Sequence, residues 1–189
     1  MRLFAAVVPP AAALDHLEDA LREVALDRLR PVPRHQWHLT VAFFGEVPER
    51  VADDLAERLG RVAARTEPLS LRLRGGGTFP KQAARARQLW VGVDAGGDEL
   101  ARLADRAAAA GRRCGLPMED RPFRAHLTLG RARRGVEDLT DAVAALSSYD
   151  GSPWAVRTLR LVRSTLGAQV RHETWHEWPL GRPAGGTAG

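Results

Sequence analysis

The sequence predicts an α+β protein built from two β-α-β-α-β repeats, a bilobal arrangement with pseudo-two-fold symmetry and two antiparallel-rich sheets facing a central cleft. Three observations lead to this fold class. The tripeptide His-Leu-Thr occurs at residues 38–40 and again at residues 126–128, both times inside a short apolar run. Apolar segments before and after the two copies match each other in order and spacing. A chain of 189 residues is long enough for two small lobes with a shared core.

The first repeat covers about residues 1–80. It begins with an apolar strand at residues 4–8, followed by a helix at residues 11–26 whose leucines recur every three or four positions. The first His-Leu-Thr opens residues 38–60, which read as strand, turn and helix. Alternating leucines at residues 69–73 predict the third strand, and we expect the glycine-rich stretch after it to be a flexible turn.

The second repeat covers about residues 89–166 and follows the same plan. Its first strand is expected at residues 89–93, and the helix after it is expected to end at Gly111. The second His-Leu-Thr opens residues 126–147, again strand and then helix. Residues 158–162 predict the third strand, and Leu159 in it lies 88 positions after Leu71 of its counterpart.

The remaining residues complete one domain. Alternation predicts an additional strand at about residues 168–179, so the bilobal domain covers residues 1–180. Residues 181–189 are rich in glycine and are predicted to be a flexible tail.

Composition restricts the class of protein and its partners. The net charge is +5, and of the 28 basic residues only Lys81 is a lysine. Arginine offers paired donors to phosphate, so a polyanionic partner such as RNA or a nucleotide is favoured. The lone Cys114 excludes an internal disulfide, and every apolar run is too short to span a membrane. We therefore expect a cytoplasmic monomer without membrane association.

The repeated tripeptide is suited to phosphodiester chemistry. Residues two apart on a strand point to the same face, so His38 projects with Thr40 and His126 with Thr128. A pseudo-two-fold axis would bring the two pairs to opposite sides of one cleft. One neutral imidazole can then accept a proton from water while the other, as imidazolium, protonates the leaving oxygen. The threonine hydroxyls can donate to the phosphate oxygens, and this scheme requires no metal and no cofactor.

These residues resemble the 2H phosphoesterase superfamily, and within it the RNA 2′,3′-cyclic phosphodiesterase branch, also called the LigT or 2′-5′ RNA ligase family. The resemblance extends over about residues 1–180 and rests on the segments MRLFAAVVPP, WHLTVAFFGEV, RPFRAHLTLGRA and LVRSTLG. The family usually has proline before the second histidine, where this chain has Ala125. That difference affects only the approach to the strand.

The resemblance implies a reaction and assigns roles. The substrate would be RNA with a terminal 2′,3′-cyclic phosphate, including tRNA halves, and the product a 2′-phosphate. By likeness to the family, His38 donates a proton to the departing 3′ oxygen, His126 accepts a proton from water, and Thr40 and Thr128 hold the phosphate. Joining of RNA through a 2′-5′ bond is a second activity that the family implies.

Three further residues are candidates for binding the substrate. Phe43 and Arg131 each lie five positions after a histidine, where an aromatic ring could stack on a base and a guanidinium could pair with phosphate. Strict alternation would put both on the face opposite the histidines, and only a bulge or a strand end would bring them into the cleft. Arg124 lies two positions before His126 and would share its face.

Two other functions remain open from the sequence. His172, Glu173 and His176 fit the His-Glu-x-x-His signature of zinc hydrolases. The nearby Pro179 and the absence of an amphipathic helix argue against the helix that this signature needs. The second alternative is a non-catalytic RNA-binding module on the same fold, which the retention of both histidines disfavours.

Overall fold

The computed structural model describes residues 1–94, 96–167 and 170–181, and its architecture is α+β, as the sequence predicts. Within these residues the strands are β1 (Arg2–Val7), β2 (Leu29–Pro31), β3 (Leu39–Glu46), β4 (Leu69–Phe79), β5 (Gln88–Asp94), β6 (His126–Ala132), β7 (Trp154–Val156), β8 (Thr158–Thr165) and β9 (Arg171–Pro179). The helices are α1 (Ala11–Leu21), α2 (Glu49–Ala64), α3 (Gly97–Arg113) and α4 (Thr140–Leu146).

The strands form one curved sheet in which all neighbours are antiparallel. Its order is β7-β4-β5-β6-β3-β1-β8-β9, and the short β2 also pairs with β6. The two halves of the sheet meet between β3 and β6, where the only registered pair among the described residues is Leu39 with Leu127. These two leucines are the central residues of the two His-Leu-Thr tripeptides.

The strand order is symmetric about the boundary between β3 and β6. Outward on one side lie β3, β1 and β8, and on the other side lie β6, β5 and β4. The first and second strands of each predicted repeat therefore stay together, while its third strand crosses to the other half. The strand β4 of the first repeat pairs with β5, and β8 of the second repeat pairs with β1. The sequence does not reveal this exchange.

Several local expectations were wrong. The glycine-rich stretch after residue 73 is not a turn but continues β4 as far as Phe79. Helix α3 does not end at Gly111, which lies inside it where a Cβ would come 3.0 Å from Cδ1 of Phe44. Glycine at this position permits close packing of helix on sheet. The short strands β2 and β7 were not predicted.

The C-terminal predictions are only partly covered. The additional strand exists as β9, beginning at Arg171. Residues 168–169 and 182–189, which include most of the predicted tail, lie outside the described residues.

Helices α2 and α3 cover one face of the sheet and form the main core with it. Leu55 and Leu59 of α2 and Leu100 and Leu103 of α3 are fully buried. The histidine face of the sheet is the opposite one. Among the helices described, none combines the length and apolar character that crossing a membrane requires.

We predict that Leu39→Ala destabilises the fold by about 2–5 kcal/mol, because Leu39 is fully buried where the two halves of the sheet meet. Denaturant unfolding measures this change. The matched control is Leu166→Ala, at a side chain that is 61% exposed, for which the change should stay within about 0.5 kcal/mol. Equal effects of the two substitutions would contradict the importance of the junction.

Candidate active site

Both histidines are held in the same way by the backbone. Nδ1 of His38 lies 2.6 Å from the carbonyl oxygen of Gln36, and Nδ1 of His126 lies 2.7 Å from that of Arg124. A carbonyl oxygen can only accept, so Nδ1 carries the hydrogen in both rings and donates it two residues back along the chain. Nε2 is therefore the nitrogen available for proton transfer in each neutral imidazole.

The register brings the two motifs together. Because Leu39 pairs with Leu127 in antiparallel sense, position 38 lies beside position 128 and position 40 beside position 126. Each histidine thus faces the threonine of the other motif, and all four side chains leave the same face of the sheet. The two histidines are then diagonal neighbours, and in a regular antiparallel sheet the Cα atoms of diagonal neighbours are about 7–8 Å apart. The charge of His126 contributes to lowering the pKa of His38, which agrees with this proximity.

The two threonine hydroxyls have different partners. Oγ1 of Thr40 lies 3.1 Å from Nε2 of His38 and can donate to it when the ring is neutral. Oγ1 of Thr128 accepts a hydrogen bond of 2.8 Å from Nε2 of Gln88, which leaves the hydroxyl hydrogen of Thr128 free to donate into the cleft. The sequence did not single out Gln88.

A β-bulge in β3 turns Phe43 into the cleft. Thr40 pairs with Ala6 of β1, whereas Phe43 pairs with Phe4, so three steps along β3 match two along β1. The extra residue reverses the alternation, and Phe43 shares the face of Thr40. Its ring is 43% exposed and lies under the guanidinium of Arg2, 4.8 Å from the ring centroid.

The same irregularity recurs in β6 and does the same for Arg131. Thr128 pairs with Trp90 of β5, whereas Arg131 pairs with Gln88. Arg131 therefore lies on the face of Thr128 and His126, and its charge acts on His38 across the cleft. The bulge that would be needed for Phe43 and Arg131 to line the cleft is present in both strands.

Aromatic rings support His126. Phe79 meets it edge to face with centroids 4.9 Å apart, and Trp90 lies 6.1 Å away. Trp90 lies directly over Gly77, where a Cβ would come within 2.4 Å of the indole. This contact explains why position 77, in the stretch that we expected to be a turn, is glycine. Arg124 is exposed, and its guanidinium lies 5.9 Å from the centroid of Phe79.

A third histidine completes the site on the other side. His172 of β9 meets the ring of His38 edge to face, with centroids 5.2 Å apart, and Phe4 stacks on His38 at 4.8 Å. Nδ1 of His172 is buried and has no hydrogen-bond partner among the described residues. The sequence assigned His172 no place in the cleft, although His172-Glu173-Thr174 is a third His-x-Thr match, because nothing local shows that β9 lies beside β8.

The zinc signature does not assemble. His172 pairs with Ser164, and Thr174 pairs with Val162, but His176 pairs with Leu161 because a bulge intervenes. His172 therefore faces the cleft while His176 faces the core side, so a single ion cannot take both imidazoles. The described residues contain no cluster of three metal-binding side chains.

The site favours neutral histidines. Burial, followed by the neighbouring His172, His126 and Arg131, lowers the pKa of His38 to about 4, although the bond to Gln36 opposes the shift. Burial also lowers the pKa of His126, with Arg124 contributing in the same direction. In the unliganded cleft both rings are therefore uncharged at neutral pH.

Comparison with known proteins gives a consistent family. Residues 6–168 match the model of the 2′-5′ RNA ligase superfamily. The chain is 33% identical over 167 residues to the RNA 2′,3′-cyclic phosphodiesterase of Archaeoglobus fulgidus, covering 88% of this chain and 92% of that one. It is 35% identical over 181 residues to the protein of the same name from Thermus thermophilus, covering 88% and 83%.

Solved structures share the fold. The crystal structure of Escherichia coli LigT in apo form superposes with a TM-score of 0.77 at 26% identity, covering 95% of this chain and 97% of that one. The Thermus thermophilus protein TT0787 gives a TM-score of 0.76 at 30% identity, covering 97% and 100%. Structures of the Escherichia coli protein exist with 3′-AMP and with ATP.

We predict that His172→Phe raises the pKa of His38 from about 4, because phenylalanine keeps the burial but removes a neighbour that can carry positive charge. Titration of the imidazole signals by NMR measures the shift. The matched control is His16→Phe, whose imidazole bonds to Tyr149 and not to the site, and which should leave His38 unchanged. An unaltered or lower pKa in His172→Phe would contradict this account.

Proposed function

Because this chain belongs to the 2′-5′ RNA ligase superfamily, we propose that it hydrolyses the terminal 2′,3′-cyclic phosphate of RNA to a 2′-phosphate without a metal. The observation that carries the proposal is the facing pair of His-Leu-Thr motifs, each with Nε2 as the available nitrogen. Two such nitrogens on either side of one phosphorus can supply a base and an acid. RNA, including tRNA halves, is the proposed partner.

In this mechanism His126 acts as the base. Nε2 of His126 accepts a proton from the attacking water while the water oxygen forms a bond to phosphorus. The lowered pKa of His126 keeps this nitrogen unprotonated at neutral pH. The bond of Nδ1–H to the carbonyl oxygen of Arg124 fixes the ring and stabilises the imidazolium that forms.

His38 acts as the acid. Its Nε2–H gives a proton to the 3′ oxygen as the bond from phosphorus to that oxygen breaks, which leaves a 2′-phosphate and a 3′ hydroxyl. Since the pKa of His38 is about 4 in the free site, the acid must be charged by the substrate: a bound phosphate anion favours the imidazolium and raises the pKa. Proton exchange with solvent then restores both rings.

The surrounding side chains bind the phosphate and the nucleotide. The hydroxyl of Thr128 has its hydrogen free to donate to a phosphate oxygen, and Thr40 can donate to another once His38 is protonated. Arg131 lies on the same face and can compensate the charge that develops in the transition state. The exposed ring of Phe43 offers a surface for a base, and Arg124 a second cation near His126.

We predict that His38→Ala and His126→Ala each reduce turnover by about 10²–10⁴-fold, because each removes a proton-transfer group. The assay is hydrolysis of a dinucleotide ending in 2′,3′-cyclic phosphate, in EDTA, with product analysis. His16→Ala is the control and should retain activity. Loss of wild-type activity in EDTA would contradict metal independence. A 3′-phosphate product would show that the 2′ oxygen, and not the 3′ oxygen, is the leaving group.

The same assay separates the alternatives. Binding of the dinucleotide without turnover would favour the non-catalytic RNA-binding module. A longer product from two RNA ends would reveal the ligation that the family name includes.

We predict that kcat/KM has its maximum below pH 6.5, since both histidines have lowered pKa values in the free site. The maximum of kcat should lie at higher pH than that of kcat/KM, because bound phosphate raises the pKa values of both histidines. Steady-state kinetics over pH 4–9 tests this. Identical profiles for kcat and kcat/KM, centred above neutrality, would contradict the proposed charging of His38 by the substrate.

A further inference from the structure

The helical side of the molecule has a groove lined mainly by arginine. It lies between α2 and α3, has a volume of about 410 Å³, and is far larger than the small cavity beside His38. The lining residues are Arg58, Arg61, Val62, Arg65, Arg106, Ala109, Ala110 and Arg113. Five of these residues are arginines, the other three are small and apolar, and none of the eight carries a carboxylate.

The arginines of the groove are only partly neutralised by neighbours. Arg58 pairs with Asp54 and Arg61 with Glu57, both one turn earlier on α2. Arg65 and Arg113 have no ion-pair partner among the described residues. The groove therefore keeps an excess of positive charge, on a surface where bidentate guanidinium groups can meet phosphate oxygens.

The groove brings several like charges close together. Arg61 lies in the last turn of α2 and Arg65 follows four positions later as its C-cap, so their like charges are close in space. Arg106 approaches the same place from α3, because it donates to the carbonyl oxygen of Arg65. A cluster of arginines whose carboxylate partners are too few to neutralise it is well suited to an external anion.

The groove and the histidine cleft lie on different sides of the sheet. Gly111 of α3 packs against Phe44, on the core side of β3, while Thr40 and Phe43 face the cleft. Phosphates bound in the groove therefore belong to a part of the RNA other than its terminal nucleotide.

We infer that the groove between α2 and α3 binds backbone phosphates of RNA, at a distance from the cyclic phosphate in the cleft. The inference rests on the proposed function for the choice of RNA as the polyanion. It predicts that RNA long enough to reach the groove gains affinity from it, while a dinucleotide does not.

The test compares two double variants that lose the same charge. Arg65→Gln with Arg113→Gln removes the two unpaired cations of the groove, and Arg50→Gln with Arg85→Gln removes two exposed arginines outside it. The probe is a hairpin RNA with a 3′ hydroxyl, which cannot be hydrolysed at its end. Binding is measured over a range of salt concentrations.

We expect the groove variant to bind the hairpin about tenfold more weakly, with a salt slope smaller by about 1.5, since two phosphate contacts are lost. The control variant should bind as the wild type does. The melting temperature of the groove variant should change little, because both side chains are exposed. Hydrolysis of the cyclic dinucleotide should be unchanged in both variants.

Equal weakening in the two variants, or an unchanged salt slope, would overturn the inference. So would competition by polyglutamate as effective as that by unlabelled hairpin, since it would indicate an acidic protein as the partner. If the wild type fails to hydrolyse the dinucleotide, the proposed function falls, while hairpin binding still decides the question of the groove.

Discussion

The antiparallel pairing of Leu39 with Leu127 is the constraint on which the candidate site depends. Among the described residues it is the registered pair at which the two halves of the sheet meet, and its register decides which side chains face each other across the boundary. A slip of one residue in either strand would turn its histidine into the core and its leucine into the cleft. The full burial of the two leucines opposes such a slip, so the hydrophobic core fixes the geometry of the polar site.

The histidine face is organised by irregularities of the sheet as much as by its regularity. Alternation alone aligns each histidine with its threonine, and the bulges in β3 and β6 then add Phe43 and Arg131 to the same face. The extra residue lies in the same place in both strands, so the duplication includes the distortion. A strand without a bulge would direct an aromatic ring into the core and bury an arginine beside it.

The sequence predicted the fold class, the duplication and the shared face of each His-x-Thr pair, because these follow from periodicity and from internal comparison. It could not decide whether Phe43 and Arg131 face the cleft, since a bulge leaves no local signal in the sequence. It disfavoured a catalytic place for His172 and did not single out Gln88, because the positions of both depend on which strands become neighbours. The glycine-rich end of β4 was misjudged because Gly77 makes room for Trp90, a contact that is distant in sequence.

The crossing of β4 and β8 between the halves makes each half of the sheet depend on both repeats. A lone copy of the repeat would leave its third strand without a partner, and two separate copies would complete each other as a symmetric dimer with identical histidine surroundings. Fusion removes that identity. One histidine could then acquire Phe4 and His172 as neighbours while the other acquired Phe79 and Trp90. Covalent linkage of the copies thus permits two equivalent histidines to lie in different chemical surroundings.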